Sequence, residues 1–295
     1  MQERFEFESG GETLVGTLFV PPTSAVGVVV TSGPLTSVKE QAAGAYAKAM
    51  AQRGFAALAF DHRYSGESGG QPRQFENPSA KIEDIKNAAT ALLSDERFSD
   101  RPIFGIGICF GAGPMVRAVS EDARFRGVAG VAGVYTDAAK TRAAAGANFQ
   151  NLIDAARQAE RTWQETGVAE TIPAVAPEGG NVAMPLREAY EFYGTQRGAV
   201  PNYVNGFAVQ SRAYLLPFDV MGAAATVTVP VIVVHSERAM LPDLAHDFYQ
   251  RLRGEKHELW LRSEGQIDFY DDARLIAAST DAVAKWFGAH ALVDV

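Results

Sequence analysis

A single cysteine, Cys109, stands in 295 residues, so no disulfide forms within the chain and a hydrophobic core has to hold the fold. No apolar stretch reaches about 18 residues, the length a helix needs to cross a bilayer. Basic side chains are in deficit: 27 Lys and Arg face 35 Asp and Glu, a net charge of -8. That balance argues against general binding of nucleic acid or of anionic membrane. Met1 to Glu8 alternates charged and aromatic residues with no basic segment leading into an apolar one, which predicts an edge strand rather than a secretion signal. Histidine numbers only five, and Asp268, Asp271 and Asp272 have none beside them, so they read as a solvated helix start and not as a metal site. Gly66 to Gly70 is glycine-rich but lacks the Gly-Lys-Ser/Thr of a nucleotide loop. The expectation is a cytoplasmic protein with a small-molecule substrate and no metal, cofactor, nucleic acid or membrane partner. A homodimer is left open.

What is present is a β-α-β-α rhythm. Phe5–Glu8 and Thr13–Val20 read as antiparallel strands around Ser9-Gly10-Gly11. Val26–Thr31, Phe55–Phe60, Pro102–Ile106, Gly127–Val134 and Val229–His235 are short, almost wholly apolar runs, the pattern of strands buried on both faces. Helices are predicted over 40–53, 79–94, 111–119, 241–252 and 272–287, with a last strand over 257–261. This alternation predicts an α/β fold, a mostly parallel central sheet with helices on both faces. The rhythm breaks over 138–217, where 138–167 is largely helical, 174–184 is rich in Pro and Gly, and 186–193 is another short helix. A core of 1–137 and 218–295 with a helical lid of 138–217 is expected, the lid above the C-terminal strand ends where open α/β sheets bind ligands.

Gly107-Ile108-Cys109-Phe110-Gly111 joins a predicted strand to a predicted helix. A turn this sharp strains its central residue and needs small neighbours two positions away on either side. Its apex side chain then stands clear of the sheet, and the Phe110 N–H, at the head of the following helix, can stabilise a developing oxyanion. The apex here is the chain's one thiol. Its place at a helix N-terminus predicts a lowered pKa, partial exposure and rapid alkylation.

The order of segments resembles the α/β-hydrolases, specifically their dienelactone-hydrolase-like, Xaa-Pro-peptidase-like branch. The resemblance rests on Gly33 with Val38-Lys39-Glu40-Gln41, on Ala59 to Ser68 with Pro72-Arg73, and on Glu83-Asp84-Ile85. It continues through the Cys109 pentapeptide, Asp122 to Val128, and Ile267-Asp268-Phe269-Tyr270-Asp271. It implies Cys109 as nucleophile and a second oxyanion donor in the loop after the first central strand. Pro34 has no N–H, which favours Leu35 as that donor.

The same resemblance puts a catalytic histidine where this chain has Gln266, and an amide accepts no proton at neutral pH. Ala239 stands where many α/β-hydrolases carry an aspartate. Glu237 and Asp243 are the carboxylates nearby, and Glu237 reads either as a proton acceptor or as a partner of Arg238. His235, at a strand end, reads as a capping residue or part of the pocket; His62 reads as structural. Tyr190 and Tyr193, with Phe192, Tyr203, Phe207 and Tyr214, divide between subdomain core and pocket wall, and a bulky, partly aromatic or polyketide-like substrate is expected. Three functions compete: hydrolysis of an ester, thioester or lactone through Cys109 with a relocated base; a non-hydrolytic reaction such as acyl transfer or cyclisation; and ligand binding by a vestigial elbow.

Overall fold

The structure is a computed structural model and describes residues 1–291. The strands are β1 (Gln2–Ser9), β2 (Glu12–Phe19), β3 (Val28–Ser32), β4 (Ala56–Phe60), β5 (Ile103–Ile108) and β6 (Phe125–Val131). A two-strand ribbon, β7 (Thr171–Ile172) with β8 (Phe207–Ala208), precedes β9 (Val231–His235) and β10 (Lys256–Trp260). Outside the ribbon they form one eight-stranded sheet in the order β1-β2-β4-β3-β5-β6-β9-β10. β1 and β2 are an antiparallel hairpin, and β2 meets β4 antiparallel. From β4 to β10 every pairing is parallel. β3, β4, β5 and β9 are buried along their whole length, as their unbroken apolar runs require of strands covered on both faces.

The helices are α1 (Ala42–Ala51), α2 (Pro78–Ser94), α3 (Ala112–Glu121), α4 (Ala138–Ala145), α5 (Asn148–Thr166) and α6 (Arg187–Tyr193). They continue with α7 (Arg212–Leu215), α8 (Met221–Ala224), α9 (Pro242–Arg251), α10 (Asp268–Asp271) and α11 (Ala273–Ala291). One face of the sheet packs α2, α3, α8 and α9 around Leu58, Met115, Val128 and Phe248. The other packs α1, α10 and α11 around Tyr46, Phe104, Ile232 and Phe287. Residues 138–217 carry α4 to α7 and the ribbon. The helix expected over 138–167 is two, because Gly146 takes φ +54° between α4 and α5. The strand expected to reach Val134 stops at Val131: Ala132 turns to φ +43°, and the Val134 N–H bonds the Cys109 carbonyl at 2.9 Å instead of continuing the ladder. No helix among the described residues is long and apolar enough to cross a membrane.

Candidate active site

β3 and β5 are neighbours, so the segments leaving their C-terminal ends meet. Cys109, at the end of β5, takes φ +53°, a conformation that costs an ordinary residue about 1–2 kcal/mol. The two glycines make that turn possible. A Cβ on Gly107 would stand 2.3 Å from the Ala112 Cα, and one on Gly111 would stand 2.3 Å from the Ser32 carbonyl oxygen. Both obstacles are backbone, so no side-chain motion relieves them.

Around the Cys109 thiol stand the Tyr270 hydroxyl, the backbone N–H of Phe110, the Gln266 side-chain amide and the backbone N–H of Leu35, each of which favours the thiolate. The Leu35 loop is anchored next door. The Thr36 N–H donates to Glu76 Oε1 at 2.7 Å with Thr36 at φ +61°, and the Glu76–Lys81 pair, 2.7 Å apart, is itself buried.

Gln266 is held at two points. Its Oε1 accepts the Met240 N–H at 2.9 Å and its Nε2 donates to the Ala132 carbonyl at 2.8 Å. One partner only donates and the other only accepts, so the amide has one allowed orientation. That leaves the second N–H for the neighbours of the amide in the cavity, Cys109 and Tyr270. Ala239, beside Met240, is buried with no polar side chain to offer. The positions where the resemblance expects a histidine and its orienting acid thus hold an amide and an alanine, and the amide oxygen is met by a backbone N–H.

These groups line a cavity of about 270 Å³ whose wall also includes Val134, Ala183, Met184, Pro185, Leu186, Glu188, Ala189, Tyr193 and Ile267. Ala183, Met184, Pro185, Leu186, Glu188, Ala189 and Tyr193 all fall within 138–217, so that stretch contributes much of the wall. A larger open groove of about 610 Å³ lies among Val119, Arg126, Pro230, Glu255 and His290. It holds neither the thiol nor the convergent N–H groups, and the chemistry belongs to the smaller cavity.

The thiol corrects an expectation. Cys109 is 7% exposed, and burial pushes its pKa up despite the four donors that favour the thiolate. Desolvation outweighs the helix N-terminus. Iodoacetamide therefore alkylates Cys109 more slowly at pH 7 than a free thiol, not faster. Its rate climbs about tenfold per pH unit to beyond the usual thiol range near 8.5, a profile read by mass spectrometry.

Of the other residues singled out above, several do not reach the cavity. Glu237 is exposed, and His246 Nε2 lies 3.1 Å from its Oε1, so it is neither a proton acceptor at the thiol nor the partner of Arg238, which pairs with Glu264. The loop after β9 turns it outward, where its charge stays hydrated. His235 is buried, its ring nitrogens 3.0 Å from the Ser236 and 3.3 Å from the Gly133 carbonyl oxygens, and burial lowers its pKa. It is a strand-end anchor. Pro34 and Tyr190 do not line the cavity, while Tyr193 does, its buried hydroxyl unpartnered. Phe192 packs edge-on against Tyr193 and Tyr270. Of the aromatic side chains expected to divide between core and pocket wall, Tyr193 lines the cavity, whose wall is otherwise mainly aliphatic apart from Phe110 and Tyr270.

A second constellation mimics catalytic machinery. Ser32 Oγ is 3.0 Å from His62 Nε2, and His62 Nδ1 is 3.2 Å from Asp84 Oδ2. All three are buried, none lines the cavity, and Arg63 Nε donates to Asp84 Oδ1 at 2.7 Å. Burial is the main reason His62 has a lowered pKa. The set braces the C-terminal end of β3.

A mostly parallel sheet, helices on both faces, and a strand–helix elbow at Cys109 define an enzyme of the α/β-hydrolase superfamily. Within it, residues 27–188 match the family described as serine aminopeptidase, S33, and the chain belongs to that family. It is 30% identical to the uncharacterised protein YcjY of Escherichia coli K12, over 93% of this chain and 94% of that one. The crystal structure of the hypothetical protein PA2218 from Pseudomonas aeruginosa superposes with a TM-score of 0.85 at 26% identity, covering 98% of this chain and 94% of that one. A protein named thiohydrolase from Eupenicillium brefeldianum is 25% identical over 92% of this chain and 89% of its own.

Proposed function

We propose that the protein is an acyl-transfer enzyme. Cys109 attacks an activated acyl compound R–CO–X, the C–X bond breaks, the thiol proton leaves with X as HX, and the acyl group stays on sulfur. The Leu35 and Phe110 N–H groups hold the oxyanion of each tetrahedral intermediate. The aliphatic wall holds R, and about 270 Å³ suits a medium-length acyl chain. The relative named thiohydrolase supports a thioester as the donor.

The observation that carries this reading is the Gln266 amide, fixed by Met240 and Ala132 where a base is expected. It can donate to sulfur or to an oxyanion, but it cannot deprotonate water. Acylation is within reach of a thiol assisted by four donors, whereas hydrolysis of the acyl-enzyme needs an activated water. The acyl group is therefore passed to an acceptor other than water. Stopped-flow measurement with p-nitrophenyl hexanoate checks this: one equivalent of p-nitrophenol per protein is released in a burst, then a steady phase at least about 10²-fold slower. Linear release without a burst contradicts the reading.

A further inference from the structure

An acyl-enzyme with no base at Gln266 still has to lose its acyl group, and the cavity wall holds one side chain whose presence this reading leaves unexplained. Glu188 is the second residue of α6, in the insertion, and it is the only formally charged side chain among the described residues that line the cavity. Its Oε2 accepts the Ile267 N–H at 3.3 Å, its only hydrogen bond among the described residues. The chain makes room for it: a Cβ on Gly265 would stand 2.2 Å from Glu188 Oε2. The carboxylate thus lies over Gly265-Gln266-Ile267, the segment whose middle residue faces the Cys109 sulfur, and approaches it from the insertion side. Among the described residues no Lys, Arg or His forms an ion pair with it, and the rest of the cavity wall carries no charge to match it.

We propose that Glu188 is the general base of the second half-reaction, and that its acceptor is a hydroxyl compound. This rests on the acyl-enzyme reading above. A neutral amine or a thiolate attacks a thioester without first giving up a proton, but a hydroxyl needs a base as it attacks. As the acceptor oxygen adds to the Cys109 thioester carbonyl, its proton passes to Glu188, and the Leu35 and Phe110 N–H groups hold the oxyanion. The C–S bond then breaks, sulfur takes the proton back from Glu188, and an ester R–CO–OR′ leaves with the thiol and the carboxylate regenerated. The aliphatic wall favours an alcohol over water at that position.

The test compares the unsubstituted protein with Glu188→Gln, after acylation by p-nitrophenyl hexanoate, with n-butanol as acceptor. The amide of Glu188→Gln keeps the shape and the Ile267 contact, and Glu188→Asp serves as a second, conservative variant. Expected is the same Cys109 adduct in all three by intact mass, butyl ester formation at least about 10²-fold slower in Glu188→Gln, and partial rescue in Glu188→Asp. The pH profile of adduct loss falls toward acid in the unsubstituted protein and is flat in Glu188→Gln. An adduct that Glu188→Gln passes to butanol as fast as the unsubstituted protein overturns this assignment alone. The absence of a Cys109 adduct in every protein overturns the acyl-enzyme reading and this assignment together.

Discussion

Gln266→His combined with Ala239→Asp raises p-nitrophenyl ester hydrolysis by about 10²–10⁴-fold, the range a positioned general base supplies. Gln266→His alone achieves far less. The reason is the Met240 N–H, which now donates to Gln266 Oε1 at 2.9 Å. A histidine in the same place meets that donor with Nδ1, which must then be the unprotonated nitrogen. Nε2 carries the proton, and a ring that presents N–H to sulfur cannot take a proton from thiol or water. An aspartate at position 239 accepts from Nδ1–H instead and turns Nε2 into the base, the role an orienting acid plays in any such triad; losing that orientation costs a protease about 10⁴. Steady-state release of p-nitrophenol from the single and double variants checks this. Equal gains from both contradict the tautomer argument, and no gain in the double variant, with Cys109 still acylated, contradicts the placement of the vacant base.

Cys109→Ala reduces acyl transfer by at least about 10³-fold, and Cys109→Ser falls nearly as far. The serine result is the sharper of the two. Serine is nearly isosteric and keeps the elbow, yet with no base at position 266 its hydroxyl is a far weaker nucleophile than a thiol, which even with a raised pKa lies closer to ionisation. The four donors at the sulfur cannot substitute for a proton acceptor. Acyl transfer from p-nitrophenyl hexanoate to n-butanol, followed by gas chromatography, distinguishes the outcomes. A serine variant with activity near that of the unsubstituted protein contradicts an acylation step that depends on the thiol.

The sheet was legible because its strands are near-continuous apolar runs separated by helical stretches of suitable length, and β3, β4, β5 and β9 follow that reading. The elbow was legible for a local reason: only glycine fits at 107 and 111, where backbone atoms lie 2.3 Å from a Cβ. Properties that depend on what packs from elsewhere were not. The raised pKa of Cys109 comes from burial under Met184, Ala189 and Ile267, which no reading of its own pentapeptide contains. Glu237 looked placed for chemistry because it follows a core strand, but the loop turns it to solvent and to His246. Tyr270 was visible inside the Ile267–Asp271 segment, although nothing there told which way its hydroxyl points. Glu188 carried no motif. It matters because Gly265, 77 positions along the chain by its number, leaves room for its carboxylate.

Tyr270 and Tyr193 extend the same electrostatic logic. Burial holds both hydroxyls well above the usual tyrosine range, so both are protonated near neutral pH. Among the described residues the cavity wall thus gathers Leu35, Phe110, the Gln266 amide, two protonated tyrosines and a single carboxylate, Glu188.

Intact-mass spectrometry after brief exposure to p-nitrophenyl hexanoate tests the central claim, that Cys109 carries the acyl group, most directly. One hexanoyl group on the unsubstituted protein, mapped to Cys109, persisting in buffer and absent from Cys109→Ala, is the predicted result. No adduct on the unsubstituted protein, or the same adduct on Cys109→Ala, contradicts it.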